Sequence, residues 1–408
     1  MYHQLLAMSG NFRFLFLCFA LLGGGFPLVA VAQTVRPTDP SAYRKAKNLY
    51  TNLHGLSGQR VLFGHQDAFA YGIGWKGKPG ASDVQSVCGS HPMVIGWDLG
   101  KLGQSPVNID SVDFALMRGR MLDAYALGAI NTASWHWDNP VTGGSSWDQT
   151  PAVYAIIPGG EKHEAYKTQL RALADFFTSL KPGPFANPIP IVFRPFHEHT
   201  GSWFWWGRGN CTAEEYKTLW RFTVHYLRDS LGVHNLLYAY STDVFRSEAD
   251  YLEFYPGDEY VDILGTDNYR DVSERGAVDS LTWQLAMLGK MARERGKLSA
   301  FTETGLEAIP HPSWWTDVLL SSFTSHPEAQ AISWVMVWRN ANTKHHYAPY
   351  PGHPSSENFL SFTQHPTVML LDPKARSLYR KHPALNRQVT AGQAITDTGT
   401  APASTRNY

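Results

Sequence analysis

Eight short apolar runs, rich in β-branched and aromatic residues, recur along the chain. They are "VLFGHQD" from Val61, "MVIGWDLG" from Met93, "AINTASWHW" from Ala129, "IPIVFRPFHE" from Ile189, "NLLYAYSTD" from Asn235, "VDILGTDNY" from Val261, "LSAFTETG" from Leu298 and "ISWVMVWRN" from Ile332. Most are near-continuously apolar rather than alternating. That pattern suits parallel strands covered on both faces. Helix-period stretches lie between several of them: "HEAYKTQLRALADFFTSL" from His163, "TAEEYKTLWRFTVHYLRDSL" from Thr212 and "DSLTWQLAMLGKMARERG" from Asp279. Thr212 followed by Glu215 forms a capping-box signal. Asp279 is the expected N-cap of the third stretch, and Gly296 its expected end. Strand then helix, repeated eight times, predicts an α/β fold of the (β/α)8 TIM barrel type in one domain.

The spacing is uneven. A long excursion, "DNPVTGGSSWDQTPAVYAIIPGG", separates the third and fourth runs, and an aromatic-rich loop, "ANTKHHYAPYPGHPSSENF", follows the eighth. Insertions of this kind shape the catalytic face of a barrel. At the N-terminus, Arg13 precedes the apolar run "FLFLCFALL", and Ala30-Val31-Ala32 follows. This reads as a signal peptide over residues 1–32, too short in its apolar run for a membrane span. The expected product is exported, secreted or periplasmic. Cys18 raises lipid attachment, but Leu17 before it is bulky where such signals want a small residue, so membrane attachment is not expected. The catalytic domain is then expected over residues 33–386, with a polar, disordered tail over 387–408. Cys88 and Cys211 are assigned to opposite ends of the barrel and are not expected to pair.

Composition narrows the partners. The chain has 408 residues, with 35 basic and 35 acidic side chains. A balanced charge excludes nucleic acid or an anionic membrane as the main partner, because either favours a basic surface. Aromatic residues make up 13% and include 14 Trp. A flat ring can stack on the C–H face of a sugar or fill a large core. Composition leaves both open.

Polar residues gather at the C-terminal ends of the predicted strands: His65, Gln66 and Asp67; Asp98; His136 and Asp138; Arg194, His197 and Glu198; Asp267 and Tyr269; Glu303; Arg339 and Asn340. In a barrel these ends share one mouth, where catalysis takes place. Glu198 after the fourth strand and Glu303 after the seventh stand out. A carboxylate pair is what glycosidic cleavage needs, one group protonating the leaving oxygen and the other attacking the anomeric carbon or activating water. No HExxH pattern or phosphate loop is present, so neither a metal nor another cofactor is expected. "HEH" at 197–199, read along a strand, is a poor chelate because the central Glu points away.

"RPFHEHTGSWFWWG" and "FTETG" resemble glycoside hydrolase family 26, the β-mannanases of the clan with the acid/base on strand four and the nucleophile on strand seven. "SWHWDNP", "GTDNY" and "WRN" resemble it as well. The resemblance runs from about Val61 to Arg339 and implies roles. Glu198 is the general acid/base and Glu303 the nucleophile of a retaining double displacement on mannan, glucomannan or galactomannan. Tyr269 hydrogen-bonds the nucleophile, and His197 hydrogen-bonds near the acid or the sugar. His136 and Arg339 hold sugar hydroxyls on the non-reducing side, and Trp203 lines the floor near the leaving sugar. Asp98 and Asp267 either contact sugar or brace Arg339. Arg194 is a buried partner for carboxylates or a direct site residue, and Trp205 and Trp206 are packing or platform. His65 reads as a strand-end histidine. The expected protein is a monomeric endo-β-1,4-mannanase. Its rivals are an exo-acting mannobiohydrolase on the same scaffold, a xylanase or mixed-linkage glucanase, a non-catalytic carbohydrate-binding barrel, and a metal-dependent sugar esterase.

Overall fold

A computed structural model describes residues 35–273, 277–372 and 378–381. The expected signal segment 1–32 and tail 387–408 lie outside the described residues. Eight parallel strands form the core: β1 (Val61–Gln66), β2 (Val94–Asp98), β3 (Ile130–Trp135), β4 (Ile191–Pro195), β5 (Leu236–Thr242), β6 (Ile263–Asn268), β7 (Leu298–Thr304) and β8 (Trp334–Val337). Each pairs with the next, and β8 pairs back onto β1 with Leu62 opposite Trp334, so the barrel closes. Every strand residue is buried. That explains why the strands read as apolar runs rather than alternating ones.

The outer helices include α1 (Arg44–Leu56), α2 (Phe114–Leu127), α3 (His163–Ser179), α4 (Ala213–His225) and α5 (Val278–Glu294). Helix α4 shows how sequence sets these elements. The Thr212 side chain accepts from the Glu215 backbone, and the Glu215 carboxylate accepts from the Thr212 backbone, completing the capping box. Its buried residues Tyr216, Leu219, Trp220, Thr223 and Val224 fall at helical spacing on one face. Each large apolar side chain so buried contributes about 1.5–3 kcal/mol. A π turn, Tyr226–Ser230, continues the helix. Helix α5 departs from expectation. It starts at Val278 with Ala277 as its uncapped N-cap, so Asp279 lies inside the first turn. There its charge still faces the positive end of the helix dipole.

Strand β7 carries one extra residue relative to both neighbours. Thr266 faces Phe301 but Asp267 faces Glu303, and Val335 faces Phe301 but Val337 faces Thr304. This bulge at Thr302 re-aims the residue that follows it, Glu303. Cys88 and Cys211 are free thiols. Among the described residues no helix is long and apolar enough to cross a membrane.

Candidate active site

The chain leaves β4 at Pro195 and turns sharply. Phe196 and Glu198 both adopt positive φ, 49° and 54°. Such angles are costly for side chains with a Cβ and persist only where surroundings hold them. Here the Tyr216 hydroxyl donates to the Phe196 carbonyl (2.8 Å), the Trp206 indole donates to the His197 carbonyl (2.8 Å), and the Glu198 N–H donates to the Ser241 carbonyl (3.0 Å). Residues 197–199 therefore lie in a turn rather than on a strand. His197 meets His136, while His199 meets the Tyr240 hydroxyl (2.9 Å). The two rings diverge, so "HEH" is a poor chelate for this reason and not through strand alternation.

Trp203 folds back to donate its indole N–H to Glu198 Oε2 at 2.8 Å. Its ring lies over Gly201, where an added Cβ would come within 2.3 Å of it. Glycine is thus required for this contact. Burial, reinforced by the negative charges of Asp267, Glu303 and Asp243, holds the Glu198 carboxyl well above the ordinary range. Phe204, Trp205 and Trp206 are buried. The Trp205 indole donates to the Trp137 carbonyl, and Phe204 stacks on Trp206. These three rings are packing, and Trp203, 36% exposed, is the one open to solvent.

Glu303 receives the Tyr269 hydroxyl on Oε1 (2.8 Å) and the Arg194 guanidinium on Oε2. The other side of that guanidinium meets Asp267 at 2.5 Å. Burial would lower the Arg194 pKa, but Asp267 and Glu303 raise it further, so the cation persists. Burial, and then the charge of Glu303, push Tyr269 well above an ordinary phenol. It therefore remains a donor at any working pH.

Two assignments need correction. Asp267 and Asp98 were candidates for sugar contact or for bracing Arg339, yet both are fully buried with their oxygens engaged. Asp267 accepts from Thr302 and Arg194. Asp98 accepts from Gly100 N–H, from Ser134, and from His136 Nδ1 at 2.6 Å. Each braces another site residue, and neither touches Arg339. His136 sits between Asp98 and His197, with its Nε2 3.2 Å from that of His197. Burial disfavours charge on His136, but Asp98 outweighs it and raises the pKa; His197 is driven well below its usual value by burial, Arg194 and His136. His136 Nδ1 thus donates to Asp98, and its Nε2 shares one hydrogen bond with the His197 Nε2. His197, expected near the acid or the sugar, meets His136 through its Nε2.

Arg339 meets Asp110 Oδ1 at 3.0 Å and the Tyr71 hydroxyl at 3.4 Å, and Tyr71 donates to Asp67 Oδ2. Burial pushes Asp110 up to about 6, against the pull of Arg339. Asp110, Tyr71, Trp147 and Tyr347 escaped notice in the sequence. Trp147, 50% exposed, stacks on His136, and Tyr347 packs against Tyr269. Asp110 lies in "NIDSVD", which reads as turn and helix-cap chemistry; the loop aromatics gave only the signal of being aromatic. An added Cβ at Gly305 would meet the Tyr347 ring at 2.6 Å, which accounts for the glycine of "TETG". His65 is buried, and burial lowers its pKa to about 4. Among the described residues no group of three His, Cys, Asp or Glu could hold a metal ion.

Residues 38–341 match the family described as Glycosyl hydrolase family 26. A mannan endo-1,4-beta-mannosidase of Bifidobacterium adolescentis is 38% identical over 285 residues, covering 67% of this chain and 28% of that protein. The chain thus spans less than a third of that longer relative. A mannan endo-1,4-beta-mannosidase of Bacillus subtilis is 30% identical over 289 residues, 67% of this chain and 74% of that protein. The structure of a GH26 beta-mannanase from Bacteroides ovatus superposes with a TM-score of 0.78 at 43% identity, covering 83% of this chain and 98% of the other.

Proposed function

The chain belongs to glycosyl hydrolase family 26, and from that premise we propose that it is a retaining endo-β-1,4-mannanase. Its substrates are mannan, glucomannan or galactomannan. The observation that carries this reading is the unequal treatment of two glutamates at one mouth. Glu303 is paired with Arg194 and oriented by Tyr269, whereas Glu198 is held toward its protonated form. A glycosidase needs that division between nucleophile and acid.

In the first step Glu303 attacks the anomeric carbon. The C–O bond to the leaving sugar breaks, and that oxygen takes the Glu198 proton. In the second, Glu198 takes a proton from water, which displaces Glu303 and restores the β configuration. Trp203 keeps one Glu198 oxygen fixed and leaves the other free to carry the proton. Arg194 keeps its charge throughout and offsets the charge that Glu303 gains back on release.

Mannan as substrate is supported by the names of the relatives. Export is proposed from the N-terminal sequence alone, through the apolar run at Phe14–Leu22 and the small residues Ala30 and Ala32. The test is a product time course on mannan, galactomannan and xylan. Mixed manno-oligosaccharides at early times are expected. A single disaccharide from the start would reassign the enzyme as exo-acting, and release from xylan alone would refute the substrate.

A further inference from the structure

Asp83 is a buried carboxylate with an unusual set of partners. It lies in the first turn of the short helix Asp83–Cys88 and is 3% exposed. Its Oδ2 accepts from the Ile73 N–H (2.9 Å) and the Asn340 side-chain amide (2.8 Å), and its Oδ1 accepts from the Trp75 indole (2.8 Å). Asn340, 1% exposed, lies just beyond β8. Its Oδ1 accepts from the N–H groups of Tyr347 and Ala348, both at 2.9 Å, and its amide also reaches the Ala348 carbonyl at 3.0 Å.

These bonds join three segments that no barrel pairing joins. One is the small hairpin formed by Tyr71–Gly72 and Trp75–Lys76. The second is the helix that bears Asp83, and the third is the loop after β8. A buried carboxylate is costly unless its oxygens are fully used, and strand closure between β8 and β1 does not require this one. The hairpin delivers Tyr71 to Asp67 and Arg339. The loop delivers Tyr347 to Tyr269, which holds the nucleophile.

We propose that the Asp83–Asn340 pair is a positioning clamp for the glycone wall, setting Tyr71 and Tyr347 around Arg339 so that sugars beyond the cleaved residue are gripped. This rests on the mannanase reading, which places Arg339 on the non-reducing side. The clamp touches no reacting atom. Its effect must therefore grow with the number of glycone sugars, whereas simple loss of stability would act on all substrates alike.

The test measures kcat and KM on dinitrophenyl β-glycosides carrying one, two and three mannose units. Asp83→Asn puts an amide N–H among three donors and breaks at least one bond. Trp75→Phe removes a single donor and keeps the ring, and serves if the first variant folds poorly. Asp262→Asn is the control, because Asp262 is an equally buried carboxylate that accepts from Thr38 and Tyr238 backbone at the opposite end of the barrel. In the wild type kcat/KM is expected to rise with glycone length; failure of the wild type on all mannosides would sink the mannanase reading itself. Asp83→Asn is expected to cut the gain per added mannose by about tenfold, through KM, with Trp75→Phe smaller and Asp262→Asn leaving the gain intact. An equal factor at every length, or no change in either clamp variant, overturns the clamp.

Discussion

Arg194→Met tests the electrostatic core of the site. Arg194 is 1% exposed and is shared by Asp267 and Glu303, whose side chains are 0% and 6% exposed. Met matches the length of the aliphatic stem but leaves two buried carboxyl groups without their counter-charge, so that one must take up a proton or remain unpaired. Breaking a buried ion pair by removing one partner costs about 3–5 kcal/mol. With an unfolding entropy near 2.1 cal/mol/K per residue, a domain of this size has about 0.7 kcal/mol/K at its midpoint, so Tm should fall by roughly 4–7 °C. Calorimetry at pH 7 reads this directly. Arg194→Lys should recover little, because one ammonium cannot serve two carboxylates as a planar fork does. Adding Asp267→Asn to Arg194→Met should recover part of the stability, since burial already pushes the Asp267 carboxyl up to about 8 and the amide spares the cost of protonating it there. An Arg194→Met protein with unchanged Tm and normal turnover would refute the account, because the buried charge would then have no function.

Four other outcomes are expected. Glu198→Ala should slow mannan hydrolysis by about 10²–10⁴, the usual range for a lost general acid, and spare glycosylation by dinitrophenyl mannosides, which leave without a proton; equal loss on both substrates counts against the acid role. The raised Glu198 pKa keeps the acid form present above the normal glutamate range. Activity on mannan should thus persist toward neutral pH and fall on the basic side, and a basic limb lying in the ordinary carboxyl range would contradict this. Asp110, with a folded pKa of about 6 against about 3.9 unfolded, adds stability below pH 4 that is lost as pH rises through 6; urea titrations should show Asp110→Asn gaining on the wild type by about 2–3 kcal/mol between pH 4 and pH 7. Trp205→Ala should cost about 3–5 kcal/mol of stability, whereas Trp203→Ala should leave stability near wild type and impair catalysis, and the reverse pattern would exchange their roles.

Much of the barrel was legible because all eight strands are buried on both faces and so read as apolar runs. The residues beside them could be placed at one mouth for the same reason. What could not be read was depth and aim. Asp98 and Asp267 occupy strand ends like Glu303 does, yet only the bulge at Thr302 turns Glu303 outward, and a bulge leaves no mark in "FTETG". The two positive-φ residues around His197 hide in the same way, since Phe and Glu rarely adopt that conformation. Partnerships such as Arg194 with Glu303, 109 residues apart, and Asp83 with Asn340, 257 apart, arise from long-range tertiary contact rather than from any local pattern. Trp205 and Trp206 stay open between packing and platform in the sequence because aromatic content says nothing about which face is covered.

In the proposed mechanism Glu303 and Glu198 cleave mannan with two inversions at the anomeric carbon. Proton NMR of a fresh digest of linear mannan, recorded before mutarotation, reads it most directly. β-Configured reducing ends are expected first, on oligosaccharides of mixed length. First appearance of the α anomer would contradict it.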